Sequence, residues 1–233
     1  MQLWICPLIA FLVGSIPFGL LIAKSQGIDI RQHGSGNIGA TNVFRIVGKK
    51  YGLLCLLLDA LKGFIPVVIA LNLVRIEGNA PAFPMSFLEP TAERFTVQLV
   101  HVITALAAIL GHNYSPWIRF KGGKGIATSA GVLIALMPAA VVILILVFVV
   151  TLIITRYVAI ASIAAAISLP IITHLGARFH GRWDNGTWNI PLFFFSLLIG
   201  ILAIWRHRSN IIRLRDGTED KFVWGAKPEQ PTP

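Results

Sequence analysis

Acidic residues are scarce in this chain, with ten Asp and Glu among 233 residues against twenty Lys and Arg. They are also scattered, so the clustered carboxylates of a two-metal site are missing and no metal is expected. The two cysteines, Cys6 and Cys55, sit singly in apolar runs. That spacing gives neither a disulfide framework nor a metal site, and both read as small apolar residues. No Gly-x-x-x-x-Gly-Lys-Ser/Thr sequence occurs, which argues against nucleotide hydrolysis, and no Gly-x-Ser-x-Gly nucleophile elbow is present. Internal repeats and low-complexity tracts are absent as well. The N-terminus lacks the basic region of a secretory signal, so its apolar run at 3–23 is expected to stay as a first helix.

What the chain has in abundance is apolar sequence. Hydrophobic residues make up 55% and charged residues 13%, too apolar for a soluble domain of this size. The expected fold is all-α and polytopic, with spans at 3–23, 51–74, 95–110, 157–175 and 190–205. The stretch 126–155 is long for one crossing and is divided by Pro138; read as a pair of short helices, it brings the count to seven. Charge favours that count. Fourteen of the twenty basic residues fall in 24–51, 119–124 and 206–227, and seven crossings place all three segments in the cytoplasm, with the N-terminus outside and the C-terminus inside. The net charge of +10 is thereby ascribed to topology, and nucleic acid is not expected as a partner. Trp4, Trp117, Trp183, Trp188, Trp205 and Trp224 fall near span ends, where indoles are favoured. Residues 1–226 form one domain in this reading, and 227–233 a disordered tail.

Three polar segments interrupt the apolar runs, and they are expected to meet at one membrane surface as a single anion-handling site. In 33–45, Gly34, Gly36 and Gly39 alternate with Ser35, Asn37, Thr41 and Asn42. Such a loop can turn backbone amides and short polar side chains toward a phosphate, with the Arg45 guanidinium as a further fork of donors. Alternatively it is a flexible loop with Arg45 as a topology anchor. In 121–128, Lys121-Gly-Gly-Lys-Gly precedes an apolar helix, so an anion could sit at that helix N-terminus beside Lys124, or the turn could rest on lipid head groups. The third, from Arg206, puts His207 and Asn210 three apart with Arg213 close by. Asp59 and Lys62, also three apart, lie inside a span and suit either a pair that locks helix packing or support for the site. His101 and His174, within apolar runs, read as structural. None of the six histidines begins a His-x-x-x-x-Asp sequence, so a carboxylate-paired histidine is not expected. A carrier for phosphorylated metabolites is the competing class, disfavoured by the lack of internal symmetry.

Gly34-Ser-Gly-Asn-Ile-Gly-Ala-Thr-Asn42 with Arg45, Gly111-His112 with Phe120 and Gly122-Gly-Lys-Gly125-Ile-Ala-Thr128, and Arg206-His207 with Asn210, Arg213 and Gly217-Thr-Glu219 together resemble the bacterial acyl-phosphate:glycerol-3-phosphate acyltransferase family. Asp59, Lys62 and Gly63 also fit it. The resemblance implies a seven-helix enzyme of the bacterial inner membrane, with its motifs on the cytoplasmic side. It implies transfer of an acyl group from acyl phosphate to the 1-hydroxyl of glycerol 3-phosphate, giving lysophosphatidate and phosphate without cofactor, metal, acyl-CoA or obligate protein partner. By position, Ser35, Arg45, Lys124, His207 and Asn210 would be catalytic. Gly36, Asn37, Gly39, Thr41, Asn42, His112, Gly122, Gly123, Gly125, Thr128, Ser162, Arg206, Arg213 and Glu219 would bind substrate. Two departures stand out: Ala159 occupies a position where relatives often carry serine, and the loop 78–94 is long. Either His207 or a substrate phosphate would take the hydroxyl proton.

Overall fold

Proline at position 17 divides the first apolar run into α1 (Ile5–Gly14) and α2 (Phe18–Ser25). Carbonyls at such a break need other donors inside a membrane. Here the Ser115 hydroxyl donates to Ser15 O at 2.6 Å and Lys62 Nζ donates to Ile16 O at 2.7 Å. Trp117 Nε1 adds a bond to Ser15 Oγ at 2.7 Å. The computed structural model describes residues 4–76, 91–182, 184 and 186–223. The expected tail 227–233, most of the long loop 78–94, and Trp183 and Trp224 lie outside these described residues.

The chain divides into two compact units. The first holds Met1–Ala70 and Thr104–Ala135, and contains α1, α2, the short α3 (Ala40–Ile46), most of α4 (Lys49–Leu73), the end of α5 (Arg94–Asn113) and α6 (Ile126–Leu136). Small residues let its helices cross closely. A Cβ on Gly14 would stand 2.2 Å from Ala108 O, one on Gly111 2.3 Å from Phe11 O, and one on Gly131 1.9 Å from Ala60 O. Beside these crossings Leu20, Ala23, Ile30, Ile38, Val43, Ile46, Cys55 and Ile118 form a buried apolar cluster that seats the polar loop following α2.

The second unit comprises Leu71–Ile103 and Leu136–Val223. Its α7 (Pro138–Thr155), α8 (Val158–Phe179) and α9 (Ile190–Arg206) pack in chain order. A 51° bend then leads into α10 (Arg208–Arg215). Two residues at each end of the long loop, β1 (Arg75–Ile76) and β2 (Thr91–Ala92), pair in parallel, a small exception to the all-helical expectation. Val142, Leu146, Ile153 and Ile154 of α7 are exposed, as befits a lipid-facing helix.

Among the described residues five helices are long and apolar enough to cross a membrane, or six with the bent α9–α10 pair. The stretch 126–155 does break before Pro138, at Met137 with φ −151° and ψ 66°. Its first part, α6, has eleven residues, about 16 Å long at 1.5 Å per residue and shorter than a hydrocarbon core of about 30 Å.

Gly131→Ala is expected to lower stability by about 1–3 kcal/mol, because the new methyl meets a backbone carbonyl that cannot yield. Gly176→Ala is the contrast. That glycine lies inside α8 with nothing within 4 Å of its Cβ position, so alanine should raise stability by about 0.5–1 kcal/mol. Thermal unfolding of the detergent-solubilised protein checks both signs.

Candidate active site

In the first unit the loop at 33–45 is shaped by its own asparagines. Gly34 and Gly36 adopt φ +56° and +67°, the left-handed region that favours glycine. Asn42, 3% exposed, donates its side-chain amide to His33 O at 3.1 Å and Asn37 O at 2.9 Å, and its Oδ1 accepts the Ser35 N–H at 3.1 Å. Asn37 Oδ1 accepts the Gly39 N–H at 2.8 Å. These two side chains therefore hold the loop's curvature through the backbone. Ser35 and Thr41 are exposed, and Gly36, Gly39 and Arg45 are half-buried. Before the loop, Arg31 forms a two-point ion pair with Asp29, with contacts of 2.8 and 2.5 Å. The guanidinium beside it holds the Asp29 carboxyl down at about 2, so Asp29 is ionised at neutral pH.

The second polar segment lies across the C-terminal end of α5. Arg119 and Phe120 take φ 55° and 61° on entering it, with the Phe120 N–H bonded to Ser115 O at 2.9 Å. Gly122 and Gly123 then run against His112 and Asn113. A Cβ on Gly122 would lie 2.0 Å from His112 O, and one on Gly123 2.2 Å from His112 Nε2. The Gly123 N–H also donates to His112 O at 3.2 Å. Gly125, at φ +80°, leads into α6, and Lys124 between them is half-buried. Thr128 is fully buried in the first turn of α6, its carbonyl 2.3 Å from the Cβ position of Gly63.

Beneath this loop sits a buried charged group. Asp59, Lys62 and His112 are 1%, 3% and 4% exposed. Lys62 Nζ lies 2.7 Å from Asp59 Oδ1, and His112 Nδ1 lies 3.7 Å from the same oxygen. The absence of a His-x-x-x-x-Asp sequence thus misled: the fold sets a carboxylate against His112 from a different helix, which no local pattern reveals. Sequence reasoning also missed Asn113. It is fully buried beside Gly125, and its side-chain amide bonds to none of the described residues. A polar residue closing an apolar run next to Gly111-His112 was the available signal.

The second unit carries its own polar group, at the α9–α10 bend. His207, 2% exposed, donates from Nδ1 to Ala203 O at 2.8 Å. A carbonyl only accepts, so the neutral ring carries its hydrogen at Nδ1 and presents Nε2 as acceptor. Glu219 is reached through a turn at Gly217, φ +72°. Its Oε1 accepts from Asn210 Nδ2 at 2.6 Å and its Oε2 from Arg213 Nε at 2.7 Å. Arg206 is half-buried. Ser162 is buried in α8, with its hydroxyl turned to Val158 O at 2.8 Å.

Among the described residues no three His, Cys, Asp or Glu side chains are grouped to hold a metal ion. Long apolar helices with an ion pair buried among them define an integral membrane protein. The family described as glycerol-3-phosphate acyltransferase matches residues 4–217. The glycerol-3-phosphate acyltransferase of Geotalea daltonii is 44% identical over 213 residues, covering 91% of this chain and 94% of the relative. That of Myxococcus xanthus is 40% identical over 219 residues, covering 92% and 97%. The crystal structure of PlsY (YgiH), an integral membrane glycerol 3-phosphate acyltransferase, in its glycerol 3-phosphate form superposes with a TM-score of 0.78 at 38% identity and 96% coverage of both chains. Its lysophosphatidic acid form gives 0.76. The chain belongs to the glycerol-3-phosphate acyltransferase family.

Proposed function

We propose that this chain transfers a fatty acyl group from acyl phosphate to the 1-hydroxyl of sn-glycerol 3-phosphate, releasing lysophosphatidate and inorganic phosphate at the cytoplasmic face of the bacterial inner membrane. The observation that carries the proposal is the reach of the family match. It runs over residues 4–217 and so takes in the polar segments at 33–45 and 111–128 and the bend at 206–217. The solved relative's two forms name glycerol 3-phosphate and lysophosphatidic acid, the acceptor and product of this reaction.

The chemistry asks little of a strong base. The acceptor hydroxyl oxygen attacks the acyl carbon, the bond from that carbon to the phosphate oxygen breaks, and phosphate leaves with the electron pair. A phosphate oxygen takes the hydroxyl proton. What the protein supplies is close placement of two anions and stabilisation of the developing oxyanion. In the first unit the backbone amides and Ser35 of the first loop, Arg45 and Lys124 supply positive ends for this, and in the second unit Arg206 and Arg213 are the basic groups. Asn113 and Thr128 add polar groups beside the start of α6. His207 and Asn210 orient substrate, and Glu219 and Asn42 act by holding their neighbours. Metal, cofactor, acyl-CoA and an obligate protein partner have no part in this account.

In this proposal residues 1–226 act as one domain with seven crossings: the broken α1–α2 span, α4, α5, α7, α8 and α9, with the eleven-residue α6 as a short crossing that needs the bilayer to thin around it. With the N-terminus outside, this arrangement gathers 14 of the 20 Lys and Arg residues on the cytoplasmic side.

Purified protein given acyl phosphate and glycerol 3-phosphate tests the proposal. Equimolar phosphate and lysophosphatidate are expected, with no product from acyl-CoA; binding without turnover would defeat it, and passage of glycerol 3-phosphate across vesicles would point to a carrier. A second expectation concerns His207. Its Nδ1 partner is a main-chain carbonyl, so His207→Ala should cost about tenfold in kcat/KM, the worth of one hydrogen bond. The pH–rate profile should keep its shape. A loss of about 10²–10⁴ with the profile flattened would make His207 the base.

A further inference from the structure

The Asp59–Lys62 pair lies inside the first unit, and three observations tie it to the loop that carries Lys124. First, the Lys62 ammonium is held from two sides: its Nζ is 2.7 Å from Asp59 Oδ1 and 2.7 Å from Ile16 O at the α1–α2 break. Second, the same Asp59 oxygen faces His112 Nδ1 at 3.7 Å, an electrostatic contact longer than a hydrogen bond. Third, the opposite edge of that imidazole abuts Gly123, whose Cβ position would be 2.2 Å from Nε2. Lys124 is the next residue.

A packing lock would need only the first of these. Two buried charges are an expensive way to hold helices together, because apolar side chains of similar size do so at least as well. The expense is explained if the pair fixes a ring whose far edge sets the height of a glycine loop. We infer that Asp59 and Lys62 are positioning residues for substrate binding: they set the His112 ring, the ring sets Gly123, and Gly123 sets Lys124. The inference rests on the proposed role of Lys124 in holding a substrate phosphate.

Removing one charge strands the other and is expected to leave little folded protein, so the neutral pair Asp59→Asn/Lys62→Met is the informative variant, with Gly123→Ala as a second that leaves both charges intact. KM and kcat for glycerol 3-phosphate and for acyl phosphate are measured on protein that elutes as a single species, in the parent and in a Lys124→Met background. Both variants are expected to raise KM for the substrate that Lys124 holds by about tenfold, the loss of one well-placed charged contact. In the Lys124→Met background the same changes should add less than about twofold, because the contact they position is already gone. Unchanged KM in the folded neutral pair, or effects that multiply with Lys124→Met, would overturn the positioning role and leave a packing lock. If Lys124→Met by itself alters neither substrate's kinetics, the role of Lys124 falls instead, and the positioning inference falls with it.

Discussion

Lys62→Met is expected to give little folded protein. The ammonium it removes is 3% exposed and is bound to Asp59 and to Ile16 O, each at 2.7 Å. Methionine fills much the same volume, so packing is nearly preserved. What changes is that Asp59 stays buried as a carboxylate without its close counter-charge, and the Ile16 carbonyl at the proline break keeps only the Phe18 N–H of its two donors. Breaking a buried pair from one side costs about 3–5 kcal/mol, a large share of the roughly 5–15 kcal/mol that holds an ordinary domain together. Adding Asp59→Asn should recover most of that loss, since the double variant strands no charge. The comparison is made on yield and thermal unfolding in detergent. If Lys62→Met unfolds at the parent's temperature, the pair contributes nothing to stability and the ion-pair geometry is incidental.

Lys124→Met carries the largest expected effect on turnover. Its ammonium stands in a loop whose neighbours, Gly122, Gly123 and Gly125, have no side chains to crowd a ligand, and which leads into the N-terminus of α6. A positive helix end and a point charge side by side suit a phosphate. Loss of a charge-assisted contact worth about 1.5–3 kcal/mol should lower kcat/KM by roughly 10- to 150-fold. Lys124→Arg should recover part of it, as the charge returns with a different reach. Stability should hardly move, because Lys124 is half-buried in a loop. Kinetics for both substrates equal to the parent's would remove Lys124 from the site.

Much of this was legible in the chain, for physical reasons that differ by element. The spans announce themselves because lipid demands long unbroken apolar runs, and α4, α5, α8 and α9 fall close to the ranges that hydropathy gave. Pro138 marked the break between α6 and α7 because proline suits the first turn of a new helix, although Pro66 and Pro170 are carried inside α4 and α8. Glycine at 34 and 36 signalled a turned loop, and both adopt positive φ.

Other features were hidden because they depend on partners far apart in sequence. Lys62 and Ile16 O are 46 residues apart, and Ser115 and Ser15 are 100 apart. His112 and Asp59 lie on α5 and α4, so no short motif could pair them. Nothing local says that the amide side chains of Asn37 and Asn42 will bond within their own loop. For Glu219, no local pattern announced that the turn at Gly217 brings its carboxylate back to Asn210 and Arg213.

Transfer between two phosphorylated compounds at the inner surface is the claim on which the rest depends, and sealed vesicles carrying this protein as their sole acyltransferase test it most directly. Glycerol 3-phosphate does not cross the bilayer unaided. With acyl phosphate present, inside-out vesicles should release phosphate and lysophosphatidate in equal amounts, and right-side-out vesicles should do so only after permeabilisation. Equal turnover in intact right-side-out vesicles, or none in either orientation, would contradict the account.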